Sequence, residues 1–106
     1  MGMFDNVRCL YPLPWPAGEL EKRDWQSKDT PAQFLDDYEI RVDGTLWHQE
    51  DFRWEEVPWE GELEIHDCEP LEGEPGLVWY SVRFWFREGG VCDLIAHKET
   101  RRPSAS

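Results

Sequence analysis

The sequence predicts a mainly β domain: a single antiparallel sheet, or a partly closed barrel, of five or six strands with one short helix at about residues 30–37. Three observations predict it. Apolar and polar residues alternate through Tyr38–Val42, Gly61–His66 and Leu77–Arg87, the period of a strand with one buried face. Asp43-Gly44 and Glu88-Gly89-Gly90 punctuate those runs with turn residues. Seven Trp, five Phe and three Tyr among 106 residues give one core enough apolar area, although only 40% of the chain is apolar.

In chain order, Phe4–Leu10 (FDNVRCL) is a short first strand. The following YPLPWP has prolines at alternate positions, which cannot donate to a ladder and favour an extended path, so a rigid connector across the domain's own surface is expected. Glu19–Asp24 is charged and reads as loop or a single helical turn. Trp25–Lys28 is a short strand. Thr30 as N-cap, Pro31 at the first helical position and Gln33 in a capping box start the helix, which runs to about Asp37.

Tyr38, Ile40 and Val42 then alternate into the Asp43-Gly44 turn. With Gly44 in the left-handed position of a three-residue loop, Ile40 faces Leu46 and Tyr38 faces His48. In Gly61–His66, Leu63 and Ile65 point one way and Glu62, Glu64 and His66 the other. Glu69–Gly76 is a loop rich in Pro and Gly. Leu77–Arg87 is the strongest strand, with Val78, Tyr80, Val82, Phe84 and Phe86 on one face. A three-residue loop after it sets Phe86 against Cys92, Phe84 against Leu94 and Val82 against Ala96. These elements form one domain over residues 3–100, with 101–106 as a frayed tail.

The formal net charge of -12 is unevenly spread: Glu50–Gly76 holds eleven carboxylates against one fixed cation, Arg53. Such a chain repels nucleic acid and anionic membranes and attracts basic surfaces. Direct nucleic-acid binding is therefore not expected, because a groove for single strands needs a positive lining. Three cysteines at wide spacing, with no apolar run long enough to span a membrane and no leader pattern, predict free thiols and a cytoplasmic protein.

Catalytic chemistry is poorly supported. His48, His66, His97 and the cysteines lie at no metal-ligand spacing, and there is no phosphate loop or dinucleotide fingerprint. Cys9 and Cys92 sit among apolar neighbours, which suits packing better than a reactive thiol. The expectation is a protein without enzymatic activity, cofactor or metal.

What remains is surface. On a strand, Glu60, Glu62 and Glu64 project from one face at intervals of about 7 Å, comparable to phosphates along a duplex strand. Glu50, Asp51, Glu55, Glu56, Asp67, Glu69, Glu72 and Glu74 thicken that patch, and Trp54 and Trp59 anchor its start. Trp79 and Trp85 share the other face of the strongest strand with Arg83. The YPLPWP segment and Trp25 are expected to cover them; left exposed, Trp79, Arg83 and Trp85 have an interface composition.

MFDNVRCLYPLP, followed by WQSKDTPAQFLDDYEIRVDGTLW, resembles a group of short bacteriophage and prophage proteins that open with MFD and a YPLP-like segment and continue into a D-x-Y-x-I…DG-x-L-W hairpin. The likeness covers Met3–Trp47. No activity is attached to that group, so it implies no catalytic residues; it implies a small accessory phage protein in a bacterial host cytoplasm. The expected function is a phage-type acidic inhibitor presenting Glu50–Glu74 to a basic host protein that handles nucleic acid, as anti-CRISPR and other anti-defence mimics do. The alternatives are a small assembly protein that docks or dimerises through its tryptophans, and a small hydrolase.

Overall fold

The computed structural model describes residues 5–27 and 37–103. The expected helix at 30–37, with Thr30, Pro31 and Gln33, lies almost wholly outside them; Asp37, its last residue, instead begins a strand. Eight strands follow one another: β1 (Asp5–Cys9), β2 (Trp25–Ser27), β3 (Asp37–Ile40), β4 (Leu46–Glu50), β5 (Arg53–Val57), β6 (Gly61–Pro70), β7 (Leu77–Arg87) and β8 (Gly90–Arg101). Between β1 and β2 a single turn of helix, α1, spans Ala17–Leu20.

All eight strands belong to one open sheet in the order β5-β4-β3-β1-β2-β6-β7-β8. The mainly β class is as the sequence predicts. The five or six strands become eight, the sheet is open and does not close into a barrel, and it is mixed, because β1 and β3 run parallel (Val7 beside Tyr38, Cys9 beside Ile40). The parallel pair arises because β2 folds back onto β1 while β3 takes β1's other edge.

Side-chain parity divides the sheet into an inner and an outer face. Val7, Trp25, Tyr38, Ile40, Leu46, Leu63, Ile65, Tyr80, Val82, Phe84 and Phe86 form the buried inner cluster. The proline-rich segment closes over it as expected: Tyr11 meets Phe84 edge-on at 6.3 Å, and Trp15 stacks on Trp25 at 6.1 Å and meets Tyr80 edge-on at 5.6 Å. Burying each such aromatic or branched side chain contributes about 1.5–3 kcal/mol. This lid covers the Tyr80 and Phe84 face, so the expectation that it shields Trp79 and Trp85 fails by parity: they point from the opposite face.

The β3–β4 hairpin has the expected register, with Ile40 opposite Leu46 and Tyr38 opposite His48. Gly44 supplies the left-handed residue (φ 86°). Its carbonyl accepts the Val91 N–H at 2.9 Å, and Thr45 bridges Gly90, so the tips of two hairpins distant in sequence meet and curl the sheet. A Cβ on Gly44 would lie 3.2 Å from the Val91 nitrogen, leaving no room for a side chain.

The β7–β8 hairpin corrects the sequence reading locally. Phe84 faces Leu94 and Val82 faces Ala96 as expected, but Phe86 faces Val91, not Cys92. The chain turns on two residues, Glu88 (φ 55°) and Gly89 (φ 77°), and a register shift between Trp85 and Phe86 takes up the extra residue. A bulge thus combines the tight turn that matches strand twist with the apolar register of the core. Arg101, expected to begin the frayed tail, instead ends β8, where Glu99, Thr100 and Arg101 pair with Trp79, Val78 and Leu77.

Candidate partner-binding surface

The acidic stretch occupies three different places. Its first part forms the β4–β5 hairpin, whose second strand has no alternating signature in the sequence. β5 (RWEEV) has no clean alternation: Trp54 is half-buried while Arg53, Glu55 and Glu56 are exposed. The hairpin turns on Asp51 (φ 50°) and Phe52 (φ 67°), both left-handed, with Glu50 opposite Arg53. Asn or Gly is the usual occupant of such a turn, and a bulky phenylalanine there is strained. Phe52 is also 97% exposed, the most solvent-facing large apolar side chain among the described residues. Glu50, Asp51, Arg53 and Glu55 line a shallow cleft of about 400 Å³ at this tip. Glu50, Asp51, Glu55 and Glu56 make no ion pair among the described residues, so their charges stand open to solvent.

The second part lies on β6, separated from β5 in the sheet by four strands. Leu63 and Ile65 are fully buried, and Glu62 and Glu64 take the outer face. There, however, they are not a free row. Arg83 of β7 stands opposite Glu64, with its Nε 2.6 Å from Glu62 Oε1 and its Nη2 3.4 Å from Glu64 Oε2. Glu60 precedes the strand and accepts the Glu88 backbone N–H at 2.6 Å, which fastens the β7–β8 turn. The evenly spaced carboxylate row therefore does not form: one member belongs to a loop and two share a guanidinium. Trp59 is half-buried against the core, and its Nε1 donates to the Glu62 carbonyl at 3.3 Å.

Asp67 and Glu69, the third part, have inner-face parity beneath the lid. Arg23, whose side chain is 2% exposed, donates from Nη2 to Glu69 Oε2 at 2.7 Å and approaches Asp67 Oδ2 at 3.4 Å from Nη1. Its guanidinium lies 3.9 Å over the Tyr80 ring, and the Tyr80 hydroxyl donates to Glu69 Oε1 at 3.0 Å. The Arg23 and Tyr80 hydrogen bonds hold the Glu69 carboxyl below its ordinary pKa. These two acids are structural clamps for the α1 region, invisible in sequence because the pairing spans distant segments. Glu72 is exposed in the β6–β7 loop, and Glu74 pairs with Arg102 at 2.8 Å.

The outer face of β6–β8 joins what sequence presented as two separate surfaces. Glu62 stands beside Trp85, and Cys68 beside Trp79. Trp79 is half-buried because His66 stacks on it at 5.2 Å and Arg101 lies 4.8 Å from its ring centre. Trp79, Arg83 and Trp85 thus face outward within a layer of charged and aromatic neighbours. On the β3–β5 half, Arg41 lies 3.8 Å over Trp47 and pairs with Glu39.

Among the described residues, no three His, Cys, Asp or Glu side chains are grouped to hold a metal ion. Cys9 has its thiol pKa pushed up to about 12 by burial, while Cys68 and Cys92 are exposed. No helix among the described residues is long and apolar enough to cross a membrane. No family model, curated protein or solved structure matches the chain.

Proposed function

We propose that this chain is a non-enzymatic, phage-type acidic binding protein that presents carboxylates to a basic host protein handling nucleic acid, in the manner of anti-CRISPR and other anti-defence mimics. The observation that carries the reading is the β4–β5 tip, where Phe52 is held out in a strained left-handed conformation among Glu50, Asp51 and Glu55. Strain of this kind costs about 1–3 kcal/mol and persists where something else selects it. An exposed aromatic ring supplies apolar contact area to a partner, and the charge around it supplies steering and choice of partner.

The acidic contact is accordingly assigned to Glu50, Asp51 and Glu55 around Phe52, with Glu56 and Trp54 flanking it on the other face of β5. Glu62 and Glu64 contribute less, because Arg83 already offsets their charge. Affinity capture from host lysate, with and without competing DNA and across a salt series, tests the reading. Association that weakens steeply with salt and is competed by DNA supports it. A captured partner held equally well at low and high salt, and indifferent to DNA, removes it.

A further inference from the structure

We infer that the free edge of β8 pairs with the β8 edge of a second copy of this chain, joining two sheets across a twofold axis at Ile95. The two edges of the sheet are built differently. β5 is five residues long, carries Arg53, Glu55 and Glu56, and runs straight into Pro58, which blunts it against pairing. β8 is twelve residues long and contains no proline; the β3–β4 hairpin tip takes Gly90 and Val91 on its outer side, and from Cys92 onward no described strand covers it. Long unguarded edges are rare because their exposed N–H and C=O groups template another strand. Ile95, 59% exposed on the outer face, adds an apolar side chain where a solvated edge would carry a charge.

Charge selects the occupant. The chain bears a net charge of -12, yet β8 has two carboxylates (Asp93, Glu99) against two fixed cations (Lys98, Arg101), so it is the long strand on which two copies meet without direct repulsion. Its sequence is also self-complementary in one antiparallel register. With Ile95 facing Ile95 on the axis, Leu94 faces Ala96 and Asp93 faces His97, each twice by symmetry. Leu94 and Ala96 have core-face parity, opposite Phe84 and Val82 in the β7 ladder, so the pairing extends the apolar layer of both sheets. Moving the axis to Ala96 sets Asp93 against Glu99, and moving it to Leu94 sets Asp93 against Ile95; the register is chosen by polarity.

The backbone agrees with that choice. In the single chain the Leu94 N–H is capped by its neighbour's carboxylate, Asp93 Oδ1, at 2.8 Å, and pairing exchanges that bond for one across the axis as Asp93 turns to His97 of the second copy. Strand alternation turns the Ala96 N–H to the same side as that of Leu94. Leu94 and Ala96 are then the pair that exchanges N–H···O bonds across the axis, and Ile95–Ile95 is the non-hydrogen-bonded pair, in which side chains approach most closely.

Sedimentation and light scattering across a concentration and salt series read this directly. The expected species has twice the 12.6 kDa chain mass and strengthens as salt is raised, because screening relieves repulsion between acidic copies. That response is opposite to the salt response of the basic-partner contact, so the two ideas fail separately. Ile95→Lys is expected to give monomer with an unchanged far-UV circular dichroism spectrum and a melting temperature that no longer depends on concentration. Asp93→Lys is expected to weaken the dimer and Asp93→Lys with His97→Asp to restore it, which reads the register. Amide exchange of the unaltered protein gives a second measurement: Leu94 and Ala96 become protected as concentration rises. A monomer at every concentration and salt, a dimer untouched by Ile95→Lys, or amide exchange at Leu94 and Ala96 independent of concentration overturns the proposal.

Discussion

Arg83 Nε lies 2.6 Å from Glu62 Oε1, and the same guanidinium reaches Glu64, so the carboxylates that look most like a phosphate row are already occupied by a cation of their own sheet. Charge reversal should therefore separate two regions. Glu50→Lys with Glu55→Lys and Glu56→Lys is expected to weaken binding to a basic partner by at least about tenfold and to flatten its salt dependence. Glu62→Lys with Glu64→Lys should change affinity little and instead lower stability by about 1 kcal/mol, since Arg83 then faces two like charges. Titration calorimetry and urea unfolding on both variants check the split.

Phe52 should show a trade between stability and binding. Phe52→Gly removes the cost of a side chain at φ 67° and is expected to stabilise the fold by up to about 1 kcal/mol, a rise of roughly 4–8 °C in melting temperature. The same change should weaken the basic-partner contact by about tenfold or more, as loss of a hot-spot ring does. Loss of stability with binding intact would mean that the ring packs within the fold.

Acid should loosen the clamp under the lid. Folding lowers the Glu69 pKa from its ordinary 4.5, first through the Arg23 hydrogen bond and then through that of Tyr80. The unfolded chain therefore binds a proton more readily than the folded one. The stabilisation is fully present above about pH 5 and is lost as pH falls through the depressed folded value. Urea midpoints measured from pH 6 to pH 3 should fall less steeply for Glu69→Gln than for the unaltered protein.

The thiols should divide two to one. With its pKa near 12, Cys9 is protonated at pH 8 and shielded, whereas Cys68 and Cys92 are exposed. A colorimetric thiol reagent should label two groups rapidly in the native protein and the third only after denaturant is added. Rapid labelling of all three would place Cys9 outside the packed layer.

Sequence alone determined what depends on neighbours a few residues apart. Alternation marked β6 and β7, the Asp43-Gly44 turn set Ile40 against Leu46, and parity put Leu63 and Ile65 inside. These follow from local geometry, which repeats every two residues whatever the rest of the chain does. Missing from it was β5, whose exposed edge position demands no apolar pattern, and with it the turn that holds out Phe52. Only the tertiary structure decided how the acids are shared out. Arg23 comes from beside α1 to take Asp67 and Glu69, Arg83 crosses from β7 to take Glu62 and Glu64, and the β4–β5 tip keeps Glu50, Asp51 and Glu55 with Arg53 as the cation among them and no ion pair within the described residues. A run of eleven carboxylates in the sequence becomes a small open cluster at one hairpin, because electrostatic pairing depends on distance in space while charge counting follows the chain.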